Sequence, residues 1–156
     1  MIDDIYNGRI LKYAANMSKI GRLSNPDATS RKHARLCGST VIVDLKVKDD
    51  IVIDFCHEVR ACTLGQASSS ILADHIIGKK IQDLKLLQKT IKNMLTKDGP
   101  PPSAPFEEFS CLQPIKNYKA RHASTMLTFD AVVDCIEQIE KKKRLSCTPP
   151  YRNVFL

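Results

Sequence analysis

The sequence predicts an α+β fold in which a three-stranded antiparallel sheet packs against several helices. Two adjacent stretches alternate between apolar and polar residues and are separated by a pair of aspartates, which is typical of a β-hairpin. Apolar residues recur at spacings of three and four on both sides of it, which is typical of amphipathic helices. With 156 residues and 43% hydrophobic content, the chain is long enough for one domain with its own core.

The β-hairpin is predicted over residues 41–58. Its first strand has alternate apolar residues on one face: Val41, Val43, Leu45 and Val47. Lys48, Asp49 and Asp50 form the turn, because Asp tolerates the backbone angles of tight turns. The return strand divides into two faces, with Ile51, Ile53, Phe55 and His57 on one and Val52, Asp54, Cys56 and Glu58 on the other.

The segment before the hairpin contributes one helix and the third strand. An amphipathic helix is expected over residues 3–17, although Gly8 weakens it by up to about 1 kcal/mol relative to Ala. A turn at residues 24–27 follows, and residues 28–36 then form a more polar strand. His33 in this strand is surrounded by basic residues, so we expect it on the surface.

Three further helices are predicted after the hairpin. The first begins soon after Cys62 and ends at Gly78, and the second covers residues 81–97. Prolines within residues 100–105 forbid regular structure, so this segment is a loop inside the domain, anchored by the aromatic side chains that follow it. The last helix begins near Ala120. We expect residues 1–145 to form a single domain and residues 146–156 a disordered tail.

Two cysteines stand at the ends of the predicted hairpin. Cys37 precedes the first strand and Cys62 follows the second, and these positions lie side by side in an antiparallel hairpin. Cys62 also lies near the N-terminus of a helix, whose dipole favours thiolate over thiol. The pair therefore indicates a site for metal or sulfur chemistry. The alternative is a pair of buried structural cysteines, because Cys packs like a small hydrophobic residue.

The start of the chain and its cysteine content bear on its location. The first residues are acidic and amphipathic and do not form a secretory leader, and no apolar run approaches the ~18 residues of a membrane span. We therefore expect a cytoplasmic, bacterial-type protein with no membrane contact. In that compartment six cysteines argue for thiols or metal ligands rather than disulfides.

The net charge of +7 comes partly from a basic run at residues 141–144. This run lies at the end of the last predicted helix, where cations suit the helix dipole. No aromatic residues interleave with it, as they do on surfaces that bind single-stranded nucleic acid. The run predicts a solvated helix end, with contact to nucleic acid or an acidic protein as the less favoured alternative.

His122 stands at the head of the apolar stripe of the last helix. The stripe continues through Met126, Phe129, Val133, Ile136 and Ile139. A histidine in such a place is most often a hydrogen-bonded structural residue. Its position at the start of the helix also makes it a candidate metal ligand.

These motifs together resemble the NifU/IscU/SufU-type iron–sulfur cluster assembly scaffold family, over nearly all of residues 1–140. The likeness is carried by Cys37 and Gly38, Cys62, Gln66–Ser70, Gly78 and Lys79, Leu112–Lys116, and His122–Val133. The second cysteine with the Ala-Ser-Ser-Ser run is its most specific part. The resemblance implies an IscU-like fold.

The sequence departs from the family pattern at two positions. Cys37 and Cys62 match the first two family cysteines, which bind a cluster or zinc. The family usually has an aspartate two residues after the first cysteine, and this position is Ser39 here. The third family cysteine opens the last helix, often directly after a histidine, and Ala123 or Ser124 takes its place here. The chain therefore resembles a variant that lacks the third cysteine.

The ligand set that the resemblance implies is Cys37, Cys62 and His122, holding a [2Fe–2S] cluster or iron transiently. A [2Fe–2S] cluster normally takes four protein ligands, so one position stays open. Cys111 precedes the last helix and is a candidate for it, whereas Cys135 and Cys147 are too remote in the pattern. Three ligands with an exchangeable fourth also describe an open zinc site.

The implied function is that of a scaffold rather than an enzyme. A cysteine desulfurase delivers persulfide sulfur to a scaffold cysteine, with Cys62 as the candidate acceptor. Iron joins the sulfur, and the nascent cluster passes to an apo iron–sulfur protein. Thiolates near a helix terminus suit sulfur transfer, and a homo-oligomer around a shared cluster is compatible with this scheme.

Two alternative functions stay open. The first is a zinc-dependent sulfurtransferase, in which Cys37, Cys62 and His122 bind zinc and one thiolate leaves the metal to take sulfur from a cysteine desulfurase. The second is a metal-binding regulatory partner without turnover. The metal content of the purified protein discriminates between these classes.

Overall fold

A computed structural model describes residues 6–146 of the chain. In chain order, the regular elements are α1 (Gly8–Ala15), β1 (Ala28–Ala34), β2 (Ser39–Lys48), β3 (Ile51–Arg60), α2 (Thr63–His75), α3 (Ile81–Thr96) and α4 (His122–Ser146). Two 3-10 segments, Glu107–Asn117 and Lys119–Arg121, precede α4. This arrangement confirms the predicted α+β class.

The three strands form one antiparallel sheet in the order β1-β2-β3. Ala34 pairs with Ser39 where β1 meets β2, and Thr40 pairs with Arg60 where β2 meets β3. The start of β2 and the end of β3 therefore lie side by side, as the hairpin pattern predicted. The connections that leave this end of the sheet carry the two cysteines of interest.

A β-bulge in β3 changes the predicted faces of the hairpin. The register shifts between Lys46 and Val47, so that Ile53 has no direct partner on β2. An extra residue reverses the alternation of side chains on one side of it. As a result Val52 and Phe55 are buried and Ile53 is exposed, whereas the sequence analysis placed Ile53, and not Val52, on the face of Phe55.

Helix α4 covers one face of the sheet and organises the helical layer. It packs on β1 and β2, both α2 and α3 pack against it, and α1 packs on α2. The core between these layers includes Val41, Val43, Leu45, Phe55, Leu64, Ile71, Phe129 and Ile136. Burial of each such side chain contributes roughly 1.5–3 kcal/mol. The ends of α2 and α4 are thereby fixed relative to the sheet.

Asp44 anchors the segment before β1 to the sheet. Its buried carboxylate accepts hydrogen bonds from Arg22 Nε at 2.7 Å, from Thr29 Oγ1 at 2.6 Å and from the Leu23 N–H at 2.9 Å. Burial alone raises the pKa of Asp44, but the bonds from Arg22, Thr29 and Leu23 outweigh it and hold this pKa below its ordinary value. The carboxylate therefore stabilises the fold in its charged form.

The first helix is shorter than predicted. It begins at Gly8, because Asn7 has an extended backbone and its side chain accepts hydrogen bonds from the amides of Arg9 and Ile10. It ends at Ala15, before the predicted end, and the first predicted residues lie outside the described part of the chain. Gly8 consequently stands at the start of the helix and not in its interior.

Small residues let α2 approach α4 closely. The buried first half of α2 contains Gly65, Ala67 and the run Ser68–Ser70. A Cβ added at Gly65 would lie 2.7 Å from the Ala61 Cβ and 3.2 Å from the Ser124 carbonyl oxygen. A larger residue requires these groups to shift, so glycine at this position allows the N-termini of α2 and α4 to lie close together.

The proline-rich segment 100–105 is irregular, as predicted. Phe106 and Phe109, which follow it, are buried, and their ring centroids lie 6.1 Å apart. These rings anchor the loop to the core, as the sequence indicated. The 3-10 segments then lead the chain to the start of α4.

The C-terminal end of α4 is exposed and basic, as the run at residues 141–144 predicted. The described part of this helix reaches Ser146, and the rest of the predicted tail, residues 147–156, lies outside the described residues. Over residues 6–146, none of the helices has the length and apolar character needed to cross a membrane.

Candidate functional site

Cys37 lies in the tight connection between β1 and β2. Residues 35–38 form a turn that is closed by a hydrogen bond from the Gly38 amide to the Ala34 carbonyl at 2.9 Å. Gly38 has a φ of +70°, which glycine adopts without the steric cost that other residues incur. The Cys-Gly pair therefore holds an exposed thiol at the end of the sheet.

Cys62 is the N-cap residue of α2, which confirms the prediction that it lies at a helix N-terminus. Its backbone is extended, with a ψ of 170°, and its carbonyl accepts a hydrogen bond from the Gln66 N–H at 2.9 Å. Cys62 is half-buried. Gly65 allows this end of α2 to lie close to α4. The Cys62 thiol therefore lies where two helices begin.

Two buried serines contact the two cysteines. Ser39 Oγ accepts hydrogen bonds from Cys37 Sγ at 3.0 Å and from the Cys62 backbone N–H at 3.3 Å. Ser124 Oγ accepts from Cys62 Sγ at 3.3 Å and donates to the Arg121 carbonyl at 3.2 Å. The site thus consists of two thiols and two hydroxyls at one end of the sheet.

The surroundings of Cys62 favour its thiolate. Partial burial by itself raises the pKa of this thiol, but the Ser124 hydroxyl, the Gly65 and Leu64 amides and the charge of Arg121 outweigh burial and lower the pKa overall. The neutral thiol makes no capping hydrogen bond to α2, so these amides act on the charged form. The thiolate is the form that attacks sulfur or binds metal.

The two candidates for the place of the third family cysteine, Ala123 and Ser124, lie in different surroundings. Ala123 is exposed, whereas Ser124 faces the second thiol. His122 precedes both, and its Nε2–H donates to the Ile115 carbonyl at 3.0 Å and the Lys116 carbonyl at 3.2 Å. This nitrogen is engaged by the backbone, and the ligand role of His122 stays a prediction.

The described donors are not grouped around a metal ion in this conformation. Within residues 6–146, no three side chains of His, Cys, Asp or Glu are grouped to hold a metal. Cys37, Cys62 and His122 therefore form no three-donor set in this conformation. Thiolates and imidazoles are the ligands that suit zinc, and the other two positions of the site are neutral serine hydroxyls.

The other described cysteines lie in different surroundings. Cys56 lies in the middle of β3, where burial and two neighbouring carboxylates raise the pKa of its thiol. Cys111 and Cys135 are buried, and burial raises the pKa of both thiols, that of Cys135 to about 12. These groups are poor nucleophiles at neutral pH. Cys147 lies outside the described residues.

His57, which sequence reasoning left without a role, joins the sheet to α2. It is fully buried, its Nε2–H donates to the Ser18 carbonyl at 2.8 Å, and its Nδ1 accepts from Ser69 Oγ at 2.6 Å. Burial lowers the pKa of His57, and the Ser18 carbonyl partly offsets this effect. A histidine on the apolar face of a strand, with a serine run soon after it, was the available signal.

Comparison with known proteins decides the family. The family model of the NifU-like N-terminal domain matches residues 5–125. The chain belongs to this family. The matched range includes Cys37, Cys62 and Ser124, so every group of the site lies within the NifU-like domain.

A solved structure of high similarity is that of a nitrogen-fixing NifU-like protein (N-terminal) from Brucella abortus. It is 54% identical to this chain, with a TM-score of 0.89, and the match covers 90% of this chain and 98% of the other. The two chains are therefore similar in sequence as well as in fold.

Two curated relatives carry functional names. The iron–sulfur cluster assembly scaffold protein IscU of Thermotoga maritima is 25% identical over 142 residues, which are 88% of this chain and 96% of the relative. The zinc-dependent sulfurtransferase SufU of Bacillus subtilis is 24% identical over 131 residues, which are 84% of this chain and 88% of the relative. These names support a scaffold role in iron–sulfur cluster assembly for the NifU-like chain.

Proposed function

We propose that this NifU-like chain is an iron–sulfur cluster assembly scaffold-like protein. Cys62 receives sulfur from a cysteine desulfurase and, with Cys37, holds iron or a nascent cluster. The observation that carries the proposal is the environment of Cys62, which favours the thiolate beside a second thiol at the same end of the sheet. We place this function in the cytoplasm, where reducing conditions keep thiols free.

Sulfur transfer to Cys62 is a thiol–disulfide type of exchange. The Cys62 thiolate attacks the terminal sulfur of a donor persulfide, a new S–S bond forms, and the donor leaves as a thiolate. The Ser124 hydroxyl and the amides at the start of α2 stabilise the attacking thiolate. A donor protein can approach this end of the sheet, because Cys37 is exposed and Leu36 beside it is 84% exposed.

The ligand set suits cargo that is held and then released. Two thiolates fall short of the four ligands that a [2Fe–2S] cluster normally takes. His122 is the proposed third donor, and since its Nε2 is engaged, ligation falls to Nδ1 or requires the ring to turn. Because the ligand set is incomplete, an acceptor protein can supply the missing cluster ligands. The cluster can then pass to an apo iron–sulfur protein.

Anaerobic reconstitution with ferrous iron and sulfide tests the scaffold proposal. The wild-type protein should develop visible absorption, and Cys62→Ser and Cys37→Ser should lose it. Cys56→Ser is the matched control, because this thiol lies within β3 and has a raised pKa. A colourless wild-type product, or equal absorption in Cys62→Ser, would rule the proposal out.

A zinc-dependent sulfurtransferase is the second candidate, because the SufU relative carries that name. It requires about one zinc ion per chain in freshly purified protein, together with a desulfurase turnover that rises when the protein is added. The metal content and the absorption spectrum of freshly purified protein separate this candidate from the scaffold. If the wild-type protein carries neither metal nor persulfide, a regulatory partner without turnover is favoured.

A further inference from the structure

We propose that Cys37 resolves a persulfide on Cys62 and so releases sulfide within one chain. The inference rests on the proposed role of Cys62 as sulfur acceptor and adds a second step to it. In this step the two thiols act as a pair, with Cys62 as the loading position and Cys37 as the resolving position. The activity is the conversion of protein-bound sulfane sulfur to free sulfide.

Ser39 places the two cysteines next to each other. Its Oγ lies 3.0 Å from Cys37 Sγ and 3.3 Å from the Cys62 backbone nitrogen, so both residues surround one buried oxygen atom. Cys37 stands on an exposed turn, whereas Cys62 caps a packed helix. The Cys37 side chain can therefore change rotamer without displacing the core, and the loaded sulfur stays in place.

Of the described cysteines, Cys37 is the one placed to resolve a persulfide on Cys62. Among the described cysteines, Cys135 Sγ is buried against the Val43 carbonyl, Cys111 is buried, and Cys56 lies opposite Asp44 in the sheet. Ser124 touches Cys62 Sγ, but a serine hydroxyl is not a nucleophile toward disulfide sulfur at neutral pH. A persulfide on Cys62 therefore has one neighbouring thiol within residues 6–146.

The release step balances without an added oxidant or reductant. The Cys37 thiolate attacks Cys62 Sγ, and an S–S bond forms between the two residues. The bond from Cys62 Sγ to the terminal sulfur breaks, and its electron pair leaves with that sulfur as hydrosulfide. A dithiol reductant then reduces this disulfide, so that both thiolates are free to hold iron. Iron thus meets sulfur at the oxidation level that a cluster contains.

Loading with inorganic polysulfide under anaerobic conditions tests the pair. After removal of the reagent, intact mass and peptide mapping identify persulfides and disulfides, and a colorimetric assay measures sulfide. Wild-type protein should contain a Cys37–Cys62 disulfide and release about one sulfide per chain. Cys37→Ser should retain the persulfide on Cys62 and release at least ten-fold less sulfide. Cys56→Ser should behave like the wild type.

Failure of this inference differs from failure of the proposed function. If Cys37→Ser carries no persulfide on Cys62, the acceptor role itself is wrong. If a persulfide on Cys62 persists equally in the wild type and in Cys37→Ser, the acceptor role stands and the resolving role of Cys37 is overturned. A disulfide that links two chains on a non-reducing gel also contradicts release within one chain.

Discussion

Cys62 Sγ lies 3.3 Å from Ser124 Oγ, at the point where α2 and α4 begin. The Ser124 hydroxyl has one proton, which it donates to the Arg121 carbonyl while Cys62 is a thiol. Thr125 Oγ1 donates to the same carbonyl at 2.9 Å. This carbonyl therefore keeps a partner when Ser124 turns its proton toward the thiolate, so the serine supports the ionised form of Cys62.

Replacement of Ser124 by alanine should raise the pKa of Cys62, because the thiolate loses a hydroxyl donor. Alkylation of Cys62 by iodoacetamide should then slow at neutral pH and recover at high pH, as followed by mass spectrometry across a pH series. Ser70→Ala is the matched control, since this α2 hydroxyl is buried and has no hydrogen-bond partner among the described residues. An unchanged pH profile in Ser124→Ala speaks against the role assigned to this serine.

Gly65→Ala should destabilise the protein by about 1–3 kcal/mol, because the added methyl group overpacks the α2–α4 contact. The new Cβ lies 2.7 Å from the Ala61 Cβ and 3.2 Å from the Ser124 carbonyl oxygen, so these groups must shift. Urea unfolding measures the loss. Gly8→Ala serves as the control, because a Cβ there meets nothing within 4 Å. Equal stability of the two variants contradicts close helix packing at the site.

Asp44→Asn should cost about 1–3 kcal/mol, because the carboxylate accepts bonds from Arg22, Thr29 and Leu23 in a buried position. Since the folded pKa of Asp44 is lowered, its contribution is present above an unfolded pKa of about 3.9 and is lost as the pH falls below it. Urea midpoints between neutral and acid pH measure both effects. Asp49→Asn, at an exposed position, should change neither the stability nor its dependence on pH. If the two variants respond alike, the stabilising role of the buried Asp44 carboxylate is wrong.

The buried His57 should make stability fall as the pH is lowered below about 6.5. Its folded pKa is lowered by burial, so the unfolded chain binds this proton more readily and acid favours unfolding. His57→Gln should be less stable at pH 7.5 and lose less stability between pH 7.5 and 5.5 than the wild type. The exposed His33→Gln should keep the wild-type dependence on pH. The prediction fails if His57→Gln keeps it too.

Local patterns in the sequence predicted the strands, the helices and the two thiol positions. The alternation at Val41–Leu45 is a local pattern, and the strand that it predicted is confirmed. The predicted positions of Cys37 and Cys62 at the two ends of the hairpin are confirmed as well. The bulge at Ile53 was missed, because a single extra residue shifts the register without changing the composition. The start of α1 was missed because an asparagine cap outweighs weak apolar spacing.

The identity of the residues that meet at the site could not be predicted in full. The choice between Ala123 and Ser124 depends on how α4 rotates against α2, which is set by the long-range contact at Gly65. The direction of the His122 ring depends on carbonyls of the preceding 3-10 segment. Both are tertiary features, and periodicity within one helix carries no information about them.

Transfer of labelled sulfur tests the central claim most directly. The protein is incubated anaerobically with a cysteine desulfurase and radiosulfur-labelled cysteine, and its peptides are then mapped without reduction. The account predicts that the wild-type protein releases the label as sulfide, that Cys37→Ser retains it on the peptide that contains Cys62, and that Cys62→Ser does neither. Label that appears equally in Cys62→Ser, or no label on the Cys62 peptide of Cys37→Ser, would contradict a sulfur-accepting site at the start of α2.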